Sequence, residues 1–386
     1  MKKTSEPRRR LVILGSTGSI GRQAMKVVER FPERLQVVGL CAGQQTARLA
    51  EQLQSCPAAW GQCQDNDGLR RLCGDKTRLL ANEEELCAAV AAPEVDIVLC
   101  AIVGTAGLRP VLAAIKAGKT IALASKEILV MAGALVMQEA ARSGSRILPV
   151  DSEHCAIFQC LEHQPRESLR RIILTASGGP FHNHPEIPLS TVTPEQALRH
   201  PTWSMGQKIT LDSATLMNKG LEIIEAGWLF QVRPEQIQVL IHPQSIVHSL
   251  VEFTDHSILA QLAPPDMALP IQFCLNYPER LPGVCQEMDW SKLVTLEFRP
   301  PDNERFPALN LARQVLRQGG AAGAVFNAAN EVAVERFLAG TLRFDAISLL
   351  VAAALKQVPA SCADTLEDIL QADAKARSFA RQWQTA

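Results

Sequence analysis

The chain has 386 residues, of which 47% are hydrophobic and 20% are charged, and its 39 basic and 40 acidic side chains give a formal net charge of -1. This composition is typical of globular proteins and excludes an intrinsically disordered chain. The balanced charge excludes an overall basic field that would hold nucleic acid or an anionic membrane. The length predicts two or three domains.

The cysteines and the N-terminal segment predict where the protein works. The eleven cysteines are scattered without C-x-x-C spacing, so we expect neither disulfides nor a zinc knuckle and infer a reduced cytoplasm. The basic N-terminal segment leads into an apolar run that stops at Leu14 without a cleavage site, which is not the pattern of a secretory signal. The longest apolar run, Ala346 to Leu355, is half of the about 20 residues that span a bilayer, so no membrane segment is predicted.

Residues 1–150 alternate short β-branched runs with amphipathic helical segments, a pattern typical of a parallel sheet with crossover helices. The predicted strands are Leu11 to Leu14, Gln36 to Cys41, Val95 to Ala101, Thr120 to Leu123 and Arg146 to Val150. Helices are predicted at Ile20 to Arg30 and at Asn82 to Ala91, with Asn82 as a cap. We therefore predict an α/β fold whose N-terminal domain is a doubly wound, Rossmann-like parallel sheet, with ligands at the carboxyl ends of the strands.

After residue 150 the pattern changes, and we predict a central α+β domain over residues 151–299. It contains a strand at Ile172 to Thr175, a proline- and histidine-rich lid loop from Gly178 to Met205, a helix around Ala214 to Phe230, and a hairpin of Ser245 to Phe253 with Ser257 to Leu262. Prolines then mark a linker at the start of residues 300–386. A helical bundle is predicted beyond it, from Ala308 to Arg317, Ala321 to Leu338, Phe344 to Gln357 and Thr365 to Gln384.

The first predicted strand runs into a glycine-rich turn, Gly15 to Gly21, and then into a helix. Glycines at positions 15, 18 and 21 allow backbone N–H groups and the positive end of a helix to approach a pyrophosphate. A tight structural turn is the plain alternative, because the spacing departs from G-x-G-x-x-G. The second strand ends without the acidic residue that binds the ribose of NAD, so NADPH is favoured, with Arg48 or Arg22 near its 2′-phosphate. Both arginines could equally be solvated.

Three carboxylates are candidates for a metal site. Asp151 and Glu153 follow the last parallel strand, and if that segment stays extended both side chains point to one side. Glu222 shares a predicted helical face with Asn218 and Lys219. Hard cations such as Mg²⁺ and Mn²⁺ prefer such oxygen ligands. A surface pair of Lys219 and Glu222 is the alternative interpretation.

Two further segments suggest ligand contacts. Ser177 with the glycines after it forms a candidate phosphate cradle together with Ser213, Asn218 and Lys219. The segment His200 to Gly206 carries Trp203 and Met205 and could close over a ligand. A structural turn and simple core packing are the respective alternatives.

Taken together, these residues resemble one family through nearly the whole chain, the 1-deoxy-D-xylulose 5-phosphate reductoisomerases. The motifs that carry the resemblance are Gly15 to Gly21, Ala124 to Glu127, Pro149 to His154, Ser177 to Phe181, His200 to Gly206, Asp212 to Glu222, His242 to Ser245 and Asn327 to Glu331. The sequence departs from the family pattern at two places. Gln44 and Gln45 stand where a lysine and an asparagine are frequent, and Ser125 stands where asparagine is usual.

The resemblance implies a reaction and a site. Members of the family rearrange 1-deoxy-D-xylulose 5-phosphate and reduce the product with NADPH to 2-C-methyl-D-erythritol 4-phosphate, for isoprenoid synthesis. The implied Mg²⁺ or Mn²⁺ ligands are Asp151, Glu153 and Glu222, and the implied catalytic residues are these three with Lys126 and His200. The implied substrate contacts are Lys126, Ser152, Glu153, Ser177, His200, Ser213, Asn218, Lys219 and Glu222. The implied cofactor contacts are Thr17, Gly18, Ser19, Ile20, Gly43, Gln44, Gln45, Ser125, Glu127 and Gly206.

Other interpretations stay open from the sequence. Another NADPH-dependent oxidoreductase, acting on a small phosphorylated or carboxylated carbonyl compound, would share the glycine turn but leave the three carboxylates unexplained. A nucleotide-sensing protein without chemistry would have no need of a metal. As partners we expect a small sugar phosphate, neither nucleic acid nor membrane, and a second copy of the chain, paired through the predicted hairpin into a homodimer.

Overall fold

The computed structural model describes residues 7–56, 59–200, 203, 205–292, 295–360 and 363–384. The strands are β1 (Arg9–Leu14), β2 (Leu35–Cys41), β3 (Trp60–Gln62), β4 (Ile97–Cys100), β5 (Thr120–Leu123), β6 (Ile147–Pro149), β7 (Leu169–Ala176), β8 (Ile237–Ile241), β9 (Val247–Phe253) and β10 (Ile258–Leu262). The helices are α1 (Ser19–Arg30), α2 (Thr46–Ser55), α3 (Asn66–Cys73), α4 (Glu83–Ala91), α5 (Leu108–Lys116), α6 (Lys126–Ser143), α7 (Ser152–Leu161), α8 (Pro194–Ala197), α9 (Gln207–Ala214), α10 (Met217–Phe230), α11 (Ala268–Asn276), α12 (Ala308–Gln318), α13 (Ala322–Leu338), α14 (Ala346–Gln357) and α15 (Leu366–Gln382).

The chain divides into two compact units. The first consists of residues up to Ile128 with Val136–Cys155 and Asp266–Glu287, and the second consists of Leu129–Leu135, Ala156–Pro265 and the residues from Met288 on. No described helix combines the length and the apolar character that crossing a bilayer requires. No disulfide joins cysteines in the described part of the chain.

The first unit is built on a six-stranded sheet in the order β3-β2-β1-β4-β5-β6. All its pairings are parallel. Its inner strands are apolar on both faces because helices cover the sheet, and Leu11 to Leu14 are fully buried. Leu14 pairs with Cys41 and Cys100, so β1, β2 and β4 end at the same level. The order reverses beside β1, and that switch point is where doubly wound sheets bind ligands. The predicted fold class is confirmed.

Local sequence signals account for some of the helix boundaries in this unit. Asn82 caps α4 by accepting from the backbone N–H of Glu85 at 2.9 Å, as predicted. Gly118 follows α5 in the left-handed conformation that ends helices. The sequence did not predict β3, which has three residues with a central glycine and no β-branched side chain.

The second unit combines a mixed sheet with helices. The strand order is β10-β9-β7-β8, with β9 antiparallel to both of its neighbours, so the predicted hairpin is confirmed. The four predicted C-terminal helices form as α12 to α15 and share one apolar core with the covered face of this sheet. The helix predicted around Ala214 to Phe230 forms as α10 and ends at the predicted residue, but it begins at Met217, because Leu216 has φ 58° and separates α9 from α10.

Candidate functional site

The glycine turn lies between β1 and α1 at the switch point of the first sheet. Gly15 has φ +89°, and a Cβ there would lie 2.5 Å from the carbonyl oxygen of Ala101. A Cβ on Gly21 would lie 2.3 Å from the carbonyl oxygen of Gly15, so α1 packs directly on the turn. Gly18 caps α1 without a side chain, which leaves the positive end of the helix for an anion. This backbone fits a dinucleotide pyrophosphate.

Helix α2 is joined to the glycine turn by a pair of hydrogen bonds. Ser16 Oγ donates to Gln52 Oε1 at 2.7 Å, and Gln52 Nε2 donates to the carbonyl oxygen of Ser16 at 2.9 Å. Arg48 precedes Gln52 by one turn of α2, and its guanidinium donates to Gln45 Oε1 at 2.8 Å. The exposed start of α2 thus presents an arginine held by a glutamine, a contact that the sequence did not predict.

The remaining predicted cofactor residues of the first unit lie near the strand ends. Thr17 is buried in the turn, Gly18 and Ile20 are half-buried, and Ser19, Gly43 and Gln44 are exposed. Ser125 is the N-cap of α6, and its hydroxyl donates to the carbonyl oxygen of Ile102 at 2.5 Å. Glu127 is buried in the first turn of α6. The hydroxyl of Ser125 therefore joins the start of α6 to the loop after β4 and does not cap the helix.

The carboxylates of Asp151 and Glu153 lie at the start of α7, not on an extended strand. The extended segment considered from the sequence is wrong, because α7 begins at Ser152 and Asp151 Oδ1 accepts from the backbone N–H of Glu153 at 3.2 Å. Lys126 Nζ lies 2.7 Å from Asp151 Oδ2, and Ser152 Oγ donates to Glu153 Oε2 at 2.5 Å. An ammonium already compensates one carboxylate, and all the acceptor atoms are oxygens. This donor set fits a hard divalent cation.

Glu222 lies on α10 in the second unit, inside the protein. Lys219 is 3% exposed and Glu222 is 1% exposed, so the surface-pair interpretation is wrong. Lys219 Nζ donates to Glu222 Oε2, and Asn218 Nδ2 donates to Glu222 Oε1 at 2.6 Å. The predicted helical face of Asn218, Lys219 and Glu222 is confirmed. Burying an ion pair is costly, and such pairs are frequent at functional sites.

Ser177, His200 and Ser213 form a compact polar triangle in the second unit. His200 Nε2 lies 3.0 Å from Ser177 Oγ and 3.1 Å from Ser213 Oγ, and the two hydroxyl oxygens are 3.4 Å apart. His200 Nδ1 accepts from the backbone N–H of Trp203 at 2.9 Å, so the proton of the neutral ring is on Nε2. Burial lowers the pKa of His200 below its ordinary value. The Nε2–H group therefore donates to the serine oxygens, and the two hydroxyl hydrogens can donate to an anion.

Two glycines bring the Ser177 loop against the end of α9. Gly178 and Gly179 have φ of +88° and +67°, and a Cβ on Gly179 would lie 2.7 Å from the carbonyl oxygen of Ser213. The predicted phosphate cradle thus has a steric reason for its glycine pair. Gly206 is the exposed N-cap of α9. Pro201, Thr202 and Ser204, in the segment His200 to Gly206 that could close over a ligand, lie outside the described residues.

Part of the predicted lid loop is anchored by an arginine that the sequence did not single out. Arg305 donates to the carbonyl oxygens of Pro185, His184 and Ile187 at 2.8, 2.9 and 2.9 Å. His182 contacts the carbonyl oxygen of Gly179 at 2.9 Å. Three carbonyl acceptors around one guanidinium fix this half of the loop.

Three family models match the chain. They describe 1-deoxy-D-xylulose 5-phosphate reductoisomerase over residues 11–133, its C-terminal domain over residues 147–230, and the DXP reductoisomerase C-terminal domain over residues 262–379. A curated 1-deoxy-D-xylulose 5-phosphate reductoisomerase of Nitrosomonas eutropha is 49% identical over 98% of this chain and 94% of its own length. The protein of that name from Pseudomonas fluorescens is 48% identical over 97% of each chain.

Solved structures agree with these sequence matches. The Zymomonas mobilis 1-deoxy-D-xylulose 5-phosphate reductoisomerase in complex with NADPH is 44% identical, covers 97% of this chain and 98% of its own, and has a TM-score of 0.91. A DOX-P reductoisomerase in complex with NADPH, fosmidomycin and magnesium is 40% identical, covers 97% of both chains and has a TM-score of 0.92. The agreement extends over almost every residue of the chain.

Proposed function

The chain belongs to the 1-deoxy-D-xylulose 5-phosphate reductoisomerase family, and we propose that it converts 1-deoxy-D-xylulose 5-phosphate to 2-C-methyl-D-erythritol 4-phosphate through the residues described above. Membership makes it an enzyme that depends on NADPH and a divalent metal. The observation that carries the residue assignment is the buried group of Asn218, Lys219 and Glu222, in a chain that also carries a glycine turn for a dinucleotide.

We assign the metal to Asp151, Glu153 and Glu222. Their oxygen donors are those that Mg²⁺ and Mn²⁺ prefer, and Asp151 already attracts the ammonium of Lys126. When bound, the ion polarises the ketone and the neighbouring hydroxyl of the sugar, and NADPH supplies the hydride for the reduction. Lys126 and Ser152 are assigned to the sugar hydroxyls next to these carboxylates.

We assign the substrate phosphate to Ser177, Ser213, Asn218 and Lys219. The neutral His200 ring holds both serine hydroxyls at one point, and Lys219 contributes a positive charge inside the protein. Binding a phosphate remote from the reacting carbons supplies energy that orients the substrate. His200 is assigned to the sugar backbone beside the phosphate.

The cofactor contacts are assigned to the turn residues Thr17, Gly18, Ser19 and Ile20, to Gly43, Gln44 and Gln45, and to Ser125, Glu127 and Gly206. The backbone of the turn binds the pyrophosphate. The end of β2 has no acidic side chain to repel a 2′-phosphate, which favours NADPH over NADH.

The decisive test follows NADPH absorbance with 1-deoxy-D-xylulose 5-phosphate, with and without Mg²⁺. Oxidation that requires both the sugar phosphate and the metal is expected. Oxidation of a different carbonyl compound without metal would support another oxidoreductase, and NADPH binding without turnover would support a nucleotide sensor. Binding of Mn²⁺ to the parent and to a Glu222→Gln variant, measured by electron paramagnetic resonance, tests the ligand assignment independently of turnover.

The exposed edge of the second sheet supports a homodimer. β10 pairs only with β9 among the described strands, and Ile258, Leu259 and Leu262 are 50%, 43% and 37% exposed. An apolar edge strand of this kind requires cover in solution. A second copy of the chain would supply it by pairing edge to edge. Sedimentation of the parent and of Leu259→Lys tests this, since the lysine should shift the protein towards the monomer.

We also retain the domain boundaries near residues 150 and 299 and the cytoplasmic location as proposals. The strands of the six-stranded sheet all precede residue 150, and the helices α12 to α15 all follow residue 300, which supports the boundaries. Limited proteolysis near these positions tests them. Cell fractionation tests the location.

A further inference from the structure

Asn330 forms a buried hydrogen bond to a carboxylate beside the assigned phosphate pocket. Its Nδ2 donates to Asp212 Oδ1 at 2.8 Å, and Lys208 Nζ lies 2.9 Å from Asp212 Oδ2. Asn330 on α13 is fully buried, and Asp212 on α9 is 1% exposed. The bond therefore joins two helices of the second unit inside the protein.

The orientation of the Asn330 amide is determined by chemistry. A carboxylate only accepts hydrogen bonds, so the NH₂ group must face Asp212. The Oδ1 atom is then turned away, and it is buried without a hydrogen-bond partner among the described residues. A buried acceptor without a partner costs free energy that an apolar side chain would avoid. What this asparagine provides is the hydrogen bond to Asp212, which an apolar side chain could not make.

Asp212 immediately precedes Ser213, which belongs to the triangle with Ser177 and His200. Successive side chains of an α-helix point about 100° apart, at 3.6 residues per turn, so fixing Asp212 also fixes the direction of Ser213. A change in the Asp212 contact would therefore move the Ser213 hydroxyl.

Helix α13, which carries Asn330, is itself fixed by contacts to α15. Arg377 contacts Glu331 at 2.5 Å and Asp373 at 2.7 Å, which ties α13 to α15. Asn327, one turn before Asn330, donates to Glu331 Oε1 at 3.0 Å. Asn327 is also fully buried, and its Oδ1 also has no hydrogen-bond partner among the described residues. The two asparagines match in type and burial, but only Asn330 contacts α9 through an amide hydrogen bond.

We propose that Asn330 is a positioning residue, which orients Ser213 towards the substrate phosphate by holding Asp212. The inference rests on the proposed assignment of the phosphate to Ser177, Ser213, Asn218 and Lys219. Asn330 does not contact the phosphate; it acts through the carboxylate and the helix turn that carry Ser213.

The experiment compares Asn330→Ala with the matched control Asn327→Ala in the full-length chain. The dissociation constant of inorganic phosphate is measured by phosphorus NMR, and melting temperatures, KM and kcat are measured alongside. We expect Asn330→Ala to weaken phosphate binding roughly tenfold, the scale of one charge-assisted hydrogen bond, and to raise KM more than it lowers kcat. Asn327→Ala removes the same number of atoms and should leave the phosphate affinity unchanged.

The same comparison in a Ser213→Ala background tests whether Asn330 acts through Ser213. If Asn330 acts through Ser213, Asn330→Ala changes the phosphate affinity by less than about twofold once the hydroxyl is gone. An equal effect in both backgrounds, or equal effects of the two asparagine variants, overturns the proposal. If the parent chain itself does not bind phosphate, the proposed phosphate pocket is refuted, and the proposed role of Asn330 is refuted with it. Should Asn330→Ala not fold by circular dichroism, Asn330→Ser is judged by the same comparisons.

Discussion

Replacing Glu222 by glutamine separates its role in the fold from its role in the reaction. The substituted side chain would keep its size and an oxygen that accepts from Asn218, but it would lose the negative charge next to Lys219. Both charged groups are almost fully buried. Breaking a buried ion pair by removing one partner costs about 3–5 kcal/mol, and the retained hydrogen bond places the cost near 3 kcal/mol. Typical domains are stable by about 5–15 kcal/mol, so we expect a weakened but folded protein.

The second effect of Glu222→Gln is on the proposed metal site. Removing one of three carboxylates should weaken Mn²⁺ binding and raise the activation barrier by several kcal/mol, roughly a thousandfold loss of kcat. The free energy of unfolding is measured by urea titration, and kcat at saturating metal by NADPH absorbance. The double variant Glu222→Gln with Lys219→Met removes both buried charges, so it should recover stability without recovering activity.

Two results would refute this reasoning. Unfolding free energies that are equal in Glu222→Gln and the parent would mean that Lys219 and Glu222 are not a charged pair. Unchanged kcat at saturating metal would remove Glu222 from the ligand set. The two outcomes are independent, because one concerns the pair within α10 and the other concerns turnover.

Three further predictions concern other parts of the protein. Gly21→Ala should destabilise the protein and weaken NADPH binding in calorimetry, because its Cβ would meet a backbone carbonyl oxygen at 2.3 Å, whereas Gly43→Ala, with nothing within 4 Å, should leave stability unchanged. Arg48→Ala should weaken binding of NADPH more than of NADH, and the same measurement on Arg22→Ala tests the other arginine that the sequence left as a candidate. Burial lowers the pKa of His242, so the urea midpoint should fall as the pH drops below about 6.5, where the unfolded chain takes up the proton first.

The sign of the His242 prediction follows from its hydrogen bonds. Nδ1 contacts the carbonyl oxygen of Glu297 at 2.8 Å, and Nε2 accepts from the backbone N–H groups of Ile246 and Val247 at 3.1 Å each. A proton on Nε2 would oppose both donors, so the folded state favours the neutral ring. His242→Gln should flatten the pH dependence, while replacement of the exposed His163 by asparagine should not. Equal slopes in all three proteins would contradict the assignment.

Specific results would also contradict the predictions for Arg48→Ala and Gly21→Ala. Equal loss of NADPH and NADH affinity in Arg48→Ala would mean that the guanidinium does not contact the 2′-phosphate. Equal stability of Gly21→Ala and the parent would mean that α1 can move away from the turn.

Elements with strong local patterns could be predicted from the sequence, and those defined by long-range contacts could not. β5 was predicted to the residue, because Thr120 to Leu123 is a short apolar run that follows a helix-ending glycine. The start of α7 was not, since Asp151-Ser152-Glu153 fits both an extended segment and a helix cap. The break before α10 depends on a leucine in the left-handed conformation, which propensity disfavours and tertiary packing imposes.

In the candidate site, too, local patterns could be predicted from the sequence and long-range contacts could not. Asn218, Lys219 and Glu222 were predicted to share a face because helical spacing is a local property. Their burial was not predictable, since it depends on the helices packed around α10. Arg305 and Asn330 gave no sequence signal as anchors, because their partners lie more than a hundred residues away along the chain.

The two hydrogen bonds between Ser16 and Gln52 have a consequence for the affinity of the cofactor. They order the glycine turn and α2 as one body in the folded chain. On the proposed assignment of the pyrophosphate to this turn, the dinucleotide would meet a loop that is already held in place, and little conformational entropy would be lost on association. Under the same assignment, Gln52 would contribute to the affinity for the cofactor by holding the turn, through its hydrogen bonds to Ser16 and without a charged side chain in the loop.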